Sequence, residues 1–184
     1  TPRIAALPGI VRAADGKALA SPELSQVVNL VSRNDGGDVN VQFRGVGPQG
    51  WAIRPQIKIV QGRKFNPGLR EIVIGKGAQT QFRDREVGKQ LKLGNQQWTI
   101  VGVFEAKDAH DSELWTDADV LGPSYQRQAF QSVTVKLTGK SGFKQLKAAL
   151  AGDPRLKLDV ATTRDYYGKQ SEGLTKLIKI LGSV

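Results

Sequence analysis

The chain has 184 residues, with 27 Lys and Arg side chains against 17 Asp and Glu, and its formal net charge is +10. It contains no cysteine, which excludes a disulfide framework, a thiol nucleophile and any cysteine-built zinc or iron–sulfur site. Neither a signal peptide nor an apolar run of about 18 residues is present, so the sequence contains no candidate membrane span.

The first third of the chain is predicted to contain a turn and two strands. Ser21-Pro22-Glu23 has the order of a helix start, but the β-branched run behind it predicts only a single turn, followed by a strand near Val27–Val31. After a turn at 35–38, apolar and polar residues alternate over 39–43, which indicates a half-buried strand. Residues 45–55 are predicted to form a loop.

The middle of the chain favours β-structure. Alternation over 57–59 predicts one strand, and the continuous apolar run 72–74 predicts a second strand that is covered on both faces. A short helix is predicted directly after the second strand, over residues 76–82.

A hairpin follows, with its tight turn at Gly94-Asn95. The turn is predicted to bring Leu91 and Leu93 opposite Trp98 and Ile100. Residues 98–104 are apolar on both faces, so we predict a central strand there and the best core candidate of the chain. Gly102 within this strand indicates that another backbone segment comes close.

The last third is predicted to contain a β-α-β unit and a final helix. A strand is predicted over 133–137, followed by a helix that begins at a Ser141 cap and ends at Gly152 and Pro154. A strand over 156–160 completes the unit. The buried face of the first helix would carry Phe143, Leu146 and Leu150. The final helix is predicted from Thr163 to the chain end, with one apolar stripe: Leu174, Leu177, Ile178 and Leu181. The fold class is therefore α+β.

The positive charge raises the question of nucleic-acid binding. Basic side chains predominate from Arg54 to Lys92, whereas Glu105 to Asp119 carries six acidic side chains and one lysine. The basic residues are scattered, and aromatic residues are not interleaved with them in the way that stacking platforms require. The pattern favours a solvated basic surface with one acidic loop over nucleic-acid binding.

Two glycine-rich stretches match nucleotide-binding motifs without the required context. Gly45-Val46-Gly47-Pro48-Gln49-Gly50 fits GxGxxG, but Pro48 and Pro55 bracket the place where a phosphate-binding helix should run. Gly139-Lys140-Ser141 resembles the end of a P-loop, but the motif's first glycine would be Thr134, within a predicted strand. We predict no cofactor site, and any ATP site would lie on another chain or segment.

His110, the only histidine, lies near Asp108, Asp111 and Glu113, which suggests a metal site or an acid–base pair. One histidine falls short of the nitrogen or sulfur ligands that zinc requires, and a serine triad would need a G-x-S-x-G elbow that is absent. Asp111 and Glu113 could serve a glycosidase, but neither spacing nor context singles them out. We interpret the segment as an exposed acidic loop and predict no catalytic, cofactor-binding or metal-binding residues.

Several segments that follow one another at short intervals resemble a known family. They are Gly62-Arg63-Lys64-Phe65-Asn66-Pro67-Gly68, Glu71-Ile72-Val73-Ile74-Gly75, Gly88-Lys89-Gln90-Leu91-Lys92-Leu93-Gly94, Trp98-Thr99-Ile100-Val101-Gly102-Val103-Phe104 and Asp111-Ser112-Glu113-Leu114-Trp115-Thr116-Asp117. This succession resembles the periplasmic core domain of MacB/FtsX-type ABC transporter permeases. Asp153-Pro154-Arg155-Leu156 and Tyr166-Tyr167 before Gln170-Ser171 resemble the same family's lead-in to its second membrane helix. The resemblance covers residues 20–184.

The resemblance implies a fold of two lobes. A membrane-near β-α-β lobe would be built from both ends of the chain, over residues 20–56 and 124–184. A second, β-rich lobe over 57–123 would be inserted between them. Because Thr1 is not a methionine, we also expect a fragment of a longer polypeptide, with one membrane helix before Thr1 and another soon after Val184.

The resemblance also implies a function. The domain would lie on the periplasmic side of the bacterial inner membrane, and ATP hydrolysis by a separate cytoplasmic subunit would move it to drive substrate export or lipoprotein handling. Its partners would be that ATP-binding subunit, the membrane, and a second permease copy or a periplasmic adaptor. The family's domain has no catalytic residues to carry over. A basic nucleic-acid-binding domain and a small secreted hydrolase centred on His110 remain as alternatives.

Overall fold

The computed structural model describes residues 2–152, 159–162 and 177–181. The chain divides into two units, the first comprising residues 1–23, 49–53 and 129–184 and the second residues 24–48 and 54–128. The predicted lobe boundaries differ from this division, since residues 24–48 belong to the second unit and not with the two ends of the chain. Which unit lies near a membrane stays a prediction.

The described residues form four α-helices, ten strands and one 3-10 helix. The helices are α1 (Pro2–Ala5), α2 (Lys76–Gln81), α3 (Ala118–Ser124) and α4 (Lys140–Ala151), and the 3-10 helix spans Ala109–Ser112. The strands are β1 (Ala20–Val31), β2 (Asp38–Val46), β3 (Lys58–Gly62), β4 (Glu71–Gly75), β5 (Gln90–Leu93), β6 (Gln96–Glu105), β7 (Leu114–Asp117), β8 (Ser132–Lys136), β9 (Asp159–Thr162) and β10 (Leu177–Leu181).

The first unit is a small sheet with α4 packed on it. Strand β8 pairs antiparallel with residues 20–23 of β1 and with β10, and β10 pairs antiparallel with β9. Strands β8 and β9 therefore run parallel with β10 between them, and α4 lies between β8 and β9 in the sequence. Leu146 and Leu150 of α4 join Val133, Val135 and Ile180 in one core cluster. The predicted β-α-β order is present.

Three local predictions in this unit are wrong. Ser21-Pro22-Glu23 is part of the long strand β1 and not a turn, because its backbone pairs with β8. The final helix is replaced over Leu177–Leu181 by β10, which fills the gap between two neighbouring strands. Helix α4 begins after Gly139, so Ser141 is not its cap. The predicted positions at 153–158, at 163–176 and at 182–184 lie outside the described residues.

The second unit is arranged around β6, which confirms the predicted central strand. Strand β6 pairs antiparallel with β3 and β5 and parallel with β4. Strand β4 continues the sheet to β7, which pairs parallel with β2, and β2 pairs with residues 24–31 of β1. The β5–β6 turn at Gly94 and Asn95 has φ angles of 58° and 62°, as a tight hairpin of this type requires.

Aromatic side chains fill the core of the second unit. Phe43 packs edge-on against Trp98, with ring centroids 4.9 Å apart, and Phe104 lies 5.1 Å from Trp115. All four side chains are fully buried. A Cβ on Gly102 would lie 2.1 Å from the carbonyl oxygen of Arg63, so the predicted close backbone approach is confirmed. Strand β4 is buried along its whole length, also as predicted.

Candidate functional site

The acidic segment Glu105–Asp119 is not the exposed loop that the sequence predicted. His110 and Glu113 are each 7% exposed and Asp117 is 6% exposed. The segment folds as the 3-10 helix, strand β7 and the start of α3, and it supplies part of the interior of the second unit. Burial of a carboxylate requires a compensating charge or hydrogen bonds, and each of these acids has them.

Glu113 forms a two-pronged ion pair with Arg44 of β2. Arg44 donates from Nε to Glu113 Oε2 at 2.8 Å and from its terminal nitrogen to Oε1 at 2.7 Å, and the indole Nε1 of Trp115 donates to Oε2 at 2.7 Å. Burial alone would raise the pKa of Glu113, but the hydrogen bonds and charge of Arg44 outweigh it, so the pKa lies below its usual value. The carboxylate is therefore held ionised.

Trp115 is the centre of this cluster. The guanidinium carbon of Arg54 lies 5.1 Å from the centroid of the indole ring, within cation–π distance. The ring of His110 packs edge-on against the same indole at 5.6 Å between centroids. The Nδ1 of His110 lies 2.8 Å from Asp108 Oδ1, which also accepts the backbone N–H of His110. Below, "the Trp115 cluster" denotes Arg44, Arg54, Asp108, His110, Glu113 and Trp115.

Half-buried Asp111 and buried Asp117 hold loops in place. Asp111 accepts hydrogen bonds from the backbone nitrogens of Ala106 (2.6 Å) and Lys107 (2.9 Å). Asp117 caps α3 through the nitrogen of Asp119 and also binds the nitrogen of Gly68 at 2.8 Å. These carboxylates stand in for backbone partners that irregular segments lack.

The loop at 62–70 has a second anchor in Glu71. This carboxylate accepts two hydrogen bonds from Arg63 and one from the backbone nitrogen of Asn66, the last at 2.8 Å. The hydrogen bonds of Arg63 lower the pKa of Glu71 against the opposing effect of burial. Two buried carboxylates therefore fix the loop: Glu71 binds the backbone nitrogen of Asn66, and Asp117 binds that of Gly68.

The cluster has the chemistry of a structural element. Both oxygens of Glu113 and the Nδ1 of His110 already have partners within the unit, and a lowered pKa does not suit Glu113 to act as a general acid. Within the part of the chain that the structure describes, no three His, Cys, Asp or Glu side chains come together in a metal-binding group. No cofactor or metal is assigned to it.

Neither glycine-rich motif has the helix context that nucleotide binding requires. Gly45 and Val46 belong to β2, so the loop predicted over 45–55 begins only at Gly47, and no helix begins in residues 47–57. A Cβ on Gly45 would lie 2.7 Å from the Cα of Ala118, so the glycine allows α3 to approach the strand. Gly139 has a φ of 122° just before α4, and Thr134 is buried within β8. Both motifs are explained by packing and turn formation.

A shallow depression of about 620 Å³ lies beside α2, and apart from Gly77 its lining residues are polar or charged. Among its lining residues, Lys76 forms a long ion pair of 3.8 Å with Glu105, and Asp111 is occupied by the backbone nitrogens described above. Ligand pockets are usually enclosed and mostly apolar, so this depression does not have the character of a small-molecule site. Among the described residues, no helix is both long and apolar enough to cross a bilayer.

Comparisons with known proteins place this fold in context. The sequence profile described as the MacB-like periplasmic core domain matches residues 2–152. The extracellular domain of the noncanonic ABC-type transporter YknZ from Gram-positive bacteria is structurally similar, with a TM-score of 0.60 and 17% identity over 96% of this chain and 85% of that one. The periplasmic region of MacB from Actinobacillus actinomycetemcomitans gives a TM-score of 0.60 and 17% identity over 81% of this chain and 70% of that one. No curated protein sequence matches.

Proposed function

Since the chain belongs to the MacB-like periplasmic core domain family, we propose that it acts as the extracytoplasmic domain of an ABC transporter permease subunit. It would couple ATP hydrolysis by a separate cytoplasmic subunit to substrate export or to lipoprotein handling. The observation that carries the proposal is the family match over residues 2–152, which spans most of the 184-residue chain. A mechanical role needs rigid units and no reacting groups.

The interior of the second unit supports such a role. Its buried acids are engaged by Arg44, by Arg63 and by backbone nitrogens. Networks of this kind fix one packing arrangement, because a partly broken network leaves a buried charge without a partner. A unit of this type transmits a displacement as a body.

The two units would have different places in the transporter. We propose that the first unit, built from both ends of the chain, is the membrane-near one, because the flanking membrane helices would continue from those ends. The cytoplasmic ATP-binding subunit would act through the membrane helices, and a second permease copy or a periplasmic adaptor would meet the domain outside the membrane.

The extracytoplasmic location is tested by labelling single cysteines in the parent protein. The chain has no cysteine of its own, so each introduced thiol is the only one in this domain, and the unsubstituted parent protein gives the background signal. We expect Leu69→Cys, at a side chain that is 50% exposed, to react with a membrane-impermeant maleimide added to spheroplasts. Ala78→Cys, at a fully buried position, is the matched control and should react only after denaturation. Labelling of Leu69→Cys only after the membrane is permeabilised would contradict the proposed location.

The proposal also predicts that the domain does not hydrolyse ATP. The purified chain should show no turnover of ATP or of generic ester and glycoside substrates, because His110 and Glu113 are engaged in the Trp115 cluster. In the reconstituted transporter, ATP hydrolysis should require the ATP-binding subunit, and export should require this domain in addition. Turnover by the chain alone that is lost in Asp111→Asn or His110→Ala would favour the hydrolase alternative instead.

A further inference from the structure

The outer face of α4 carries a row of lysines. Lys140, Lys144 and Lys147 are exposed, and their spacing places them on one side of the helix. A different side of the helix, about 100° around its axis, contributes Leu146 and Leu150 to the core of the first unit. At a rise of about 1.5 Å per residue the three lysines extend over roughly 10 Å of the helix. Below, "the lysine stripe" denotes these three side chains.

The segment of sequence that carries the stripe has no acidic side chain. The sequence contains no Asp or Glu between Asp119 and Asp153, a stretch that includes all of α4. Among the residues that the structure describes, none of the three ammonium groups forms an ion pair, whereas Lys76 of α2 does. The ranges of the first unit hold 13 Lys and Arg against 6 Asp and Glu, which is +7 of the net +10. The charge of the protein is thus concentrated in one unit.

We propose that the lysine stripe binds the anionic headgroups of phospholipids. The inference rests on the proposed function, in which the unit that carries the stripe is the membrane-near one. A row of positive charges on a straight helix presents a line of contacts to a planar anionic surface. Each lysine near such a surface contributes a similar amount to binding, and the contributions add.

The side chains of α4 favour a lipid surface over a nucleic acid. Lysine is a compact, strongly hydrated point charge, whereas paired recognition of phosphate relies on the planar fork of arginine, which α4 lacks. Stacking on bases needs exposed aromatic rings, and Phe143, the one aromatic residue of α4, packs against the core cluster. Binding to scattered anionic headgroups requires neither an arginine fork nor exposed aromatic rings.

The mode of binding follows from the packing. Because the leucines of α4 are used in the core, the helix has no apolar face to insert between acyl chains. Binding would be electrostatic and reversible. Salt would weaken it, because charges are screened beyond a Debye length of about 10 Å at 0.1 M ionic strength. Such contacts would orient the first unit on the bilayer while leaving it free to move.

The test is sedimentation of the purified chain with phospholipid vesicles at low salt. The chain should bind vesicles of equal parts phosphatidylcholine and phosphatidylglycerol and should not bind vesicles of phosphatidylcholine alone. Replacing all three stripe lysines by glutamine should weaken binding about 100-fold, taking each lysine at about 1 kcal/mol and a tenfold change per 1.4 kcal/mol. Each single change should weaken it about fivefold by the same constants.

The matched control removes the same charge from the second unit. Lys58, Lys89 and Lys92 are also exposed, and their triple change to glutamine lowers the net charge equally. This control should retain most of the binding, and equal losses in the two triple variants would overturn the proposal in favour of a general charge effect. Tighter binding to double-stranded DNA than to anionic vesicles at the same salt would also overturn it. Glutamine is nearly as good a helix former as lysine, and the single variants give the same ranking should the triple variant unfold.

Failure of this inference can be told apart from failure of the proposed function. If Leu69→Cys is labelled from outside but the lysine stripe does not bind anionic vesicles, only the lipid contact is wrong. If the labelling shows a cytoplasmic location, the proposed function fails whatever the vesicles show.

Discussion

A Trp98→Ala variant is expected to lose about 3–5 kcal/mol of its free energy of unfolding, as aromatic-to-alanine changes in well-packed cores do. Trp98 is fully buried on the central strand β6 and packs edge-on against Phe43. Its indole Nε1 also donates to the carbonyl oxygen of Leu93 at 3.0 Å, and truncation removes this buried hydrogen bond as well. The cavity left by the indole and the lost hydrogen bond both lower the free energy of unfolding.

The measurement is urea denaturation followed by circular dichroism, which does not depend on the tryptophan that is removed. Gln97→Ala is the matched control, because Gln97 is the neighbouring residue on β6 and is exposed. It should stay within about 0.5 kcal/mol of the parent, as surface changes do. If Trp98→Ala unfolds at the same urea concentration as Gln97→Ala, β6 is not the strand on which the second unit depends.

The central strand could be predicted because its evidence is local. The run from Trp98 to Phe104 is apolar on both faces, and Gly102 within it marks a close backbone, so neither inference needs to know the partner strands. The hairpin turn at Gly94-Asn95 is local in the same sense, since the left-handed backbone it requires is intrinsic to those residue types.

The errors arise where a distant partner decides the local structure. Leu177–Leu181 is a short apolar segment that suits a helix or a strand equally, and its position between β8 and β9 makes it a strand. Pro22 suggested the start of a helix, yet it lies in β1 and pairs with Val133 of β8. Proline is tolerated where one side of a strand has no ladder partner, and the pairing of β1 with β2 begins only at Leu24.

Only the acidic segment of the Trp115 cluster could be recognised from the sequence. His110, Asp108 and Glu113 stood out as neighbours in sequence, but their charges suggested an exposed loop. Arg44 lies 69 residues from Glu113, and the two meet because β2 and β7 pair in parallel. One signal was present in the sequence: Glu113 and Trp115 are two residues apart, and in extended backbone this spacing places both side chains on the same face. Glu113 immediately precedes β7 and has an extended backbone, with φ −104° and ψ 161°. A carboxylate on the same face as a tryptophan is a candidate for burial, and a buried carboxylate requires a cation or hydrogen bonds.

The second large effect on stability is expected at Arg44, the cation that pairs with Glu113. Arg44→Met should lose about 3–5 kcal/mol of the free energy of unfolding at neutral pH, because it removes two hydrogen bonds and the neutralising charge from the buried carboxylate of Glu113 and leaves it the hydrogen bond from Trp115 Nε1. Lys76→Met is the control, since the Lys76–Glu105 pair is longer and more exposed. An exposed pair of that kind contributes about 0–1 kcal/mol.

The double variant Arg44→Met with Glu113→Gln separates the charge from the packing. Glutamine keeps an oxygen for Trp115 Nε1 but carries no charge, so the double variant should be more stable than Arg44→Met alone. This ordering is the reverse of what two independent losses would give. A double variant that is less stable than either single variant would show that the guanidinium acts through packing and not by neutralising Glu113.

The pH dependence provides a third and independent check on the same pair. In the parent, the pKa of Glu113 is lowered in the folded state, so its contribution is fully present above the unfolded pKa of about 4.3 and is lost as pH falls through the folded pKa. In Arg44→Met, burial is no longer opposed by the guanidinium, so the folded pKa rises above the unfolded one and protonation relieves the penalty as pH falls. The difference in unfolding free energy between parent and variant should therefore shrink from neutral pH toward pH about 4, while Glu71 affects both chains alike and cancels. A difference that stays constant over this range would mean that the charge of Glu113 was never the reason for the loss.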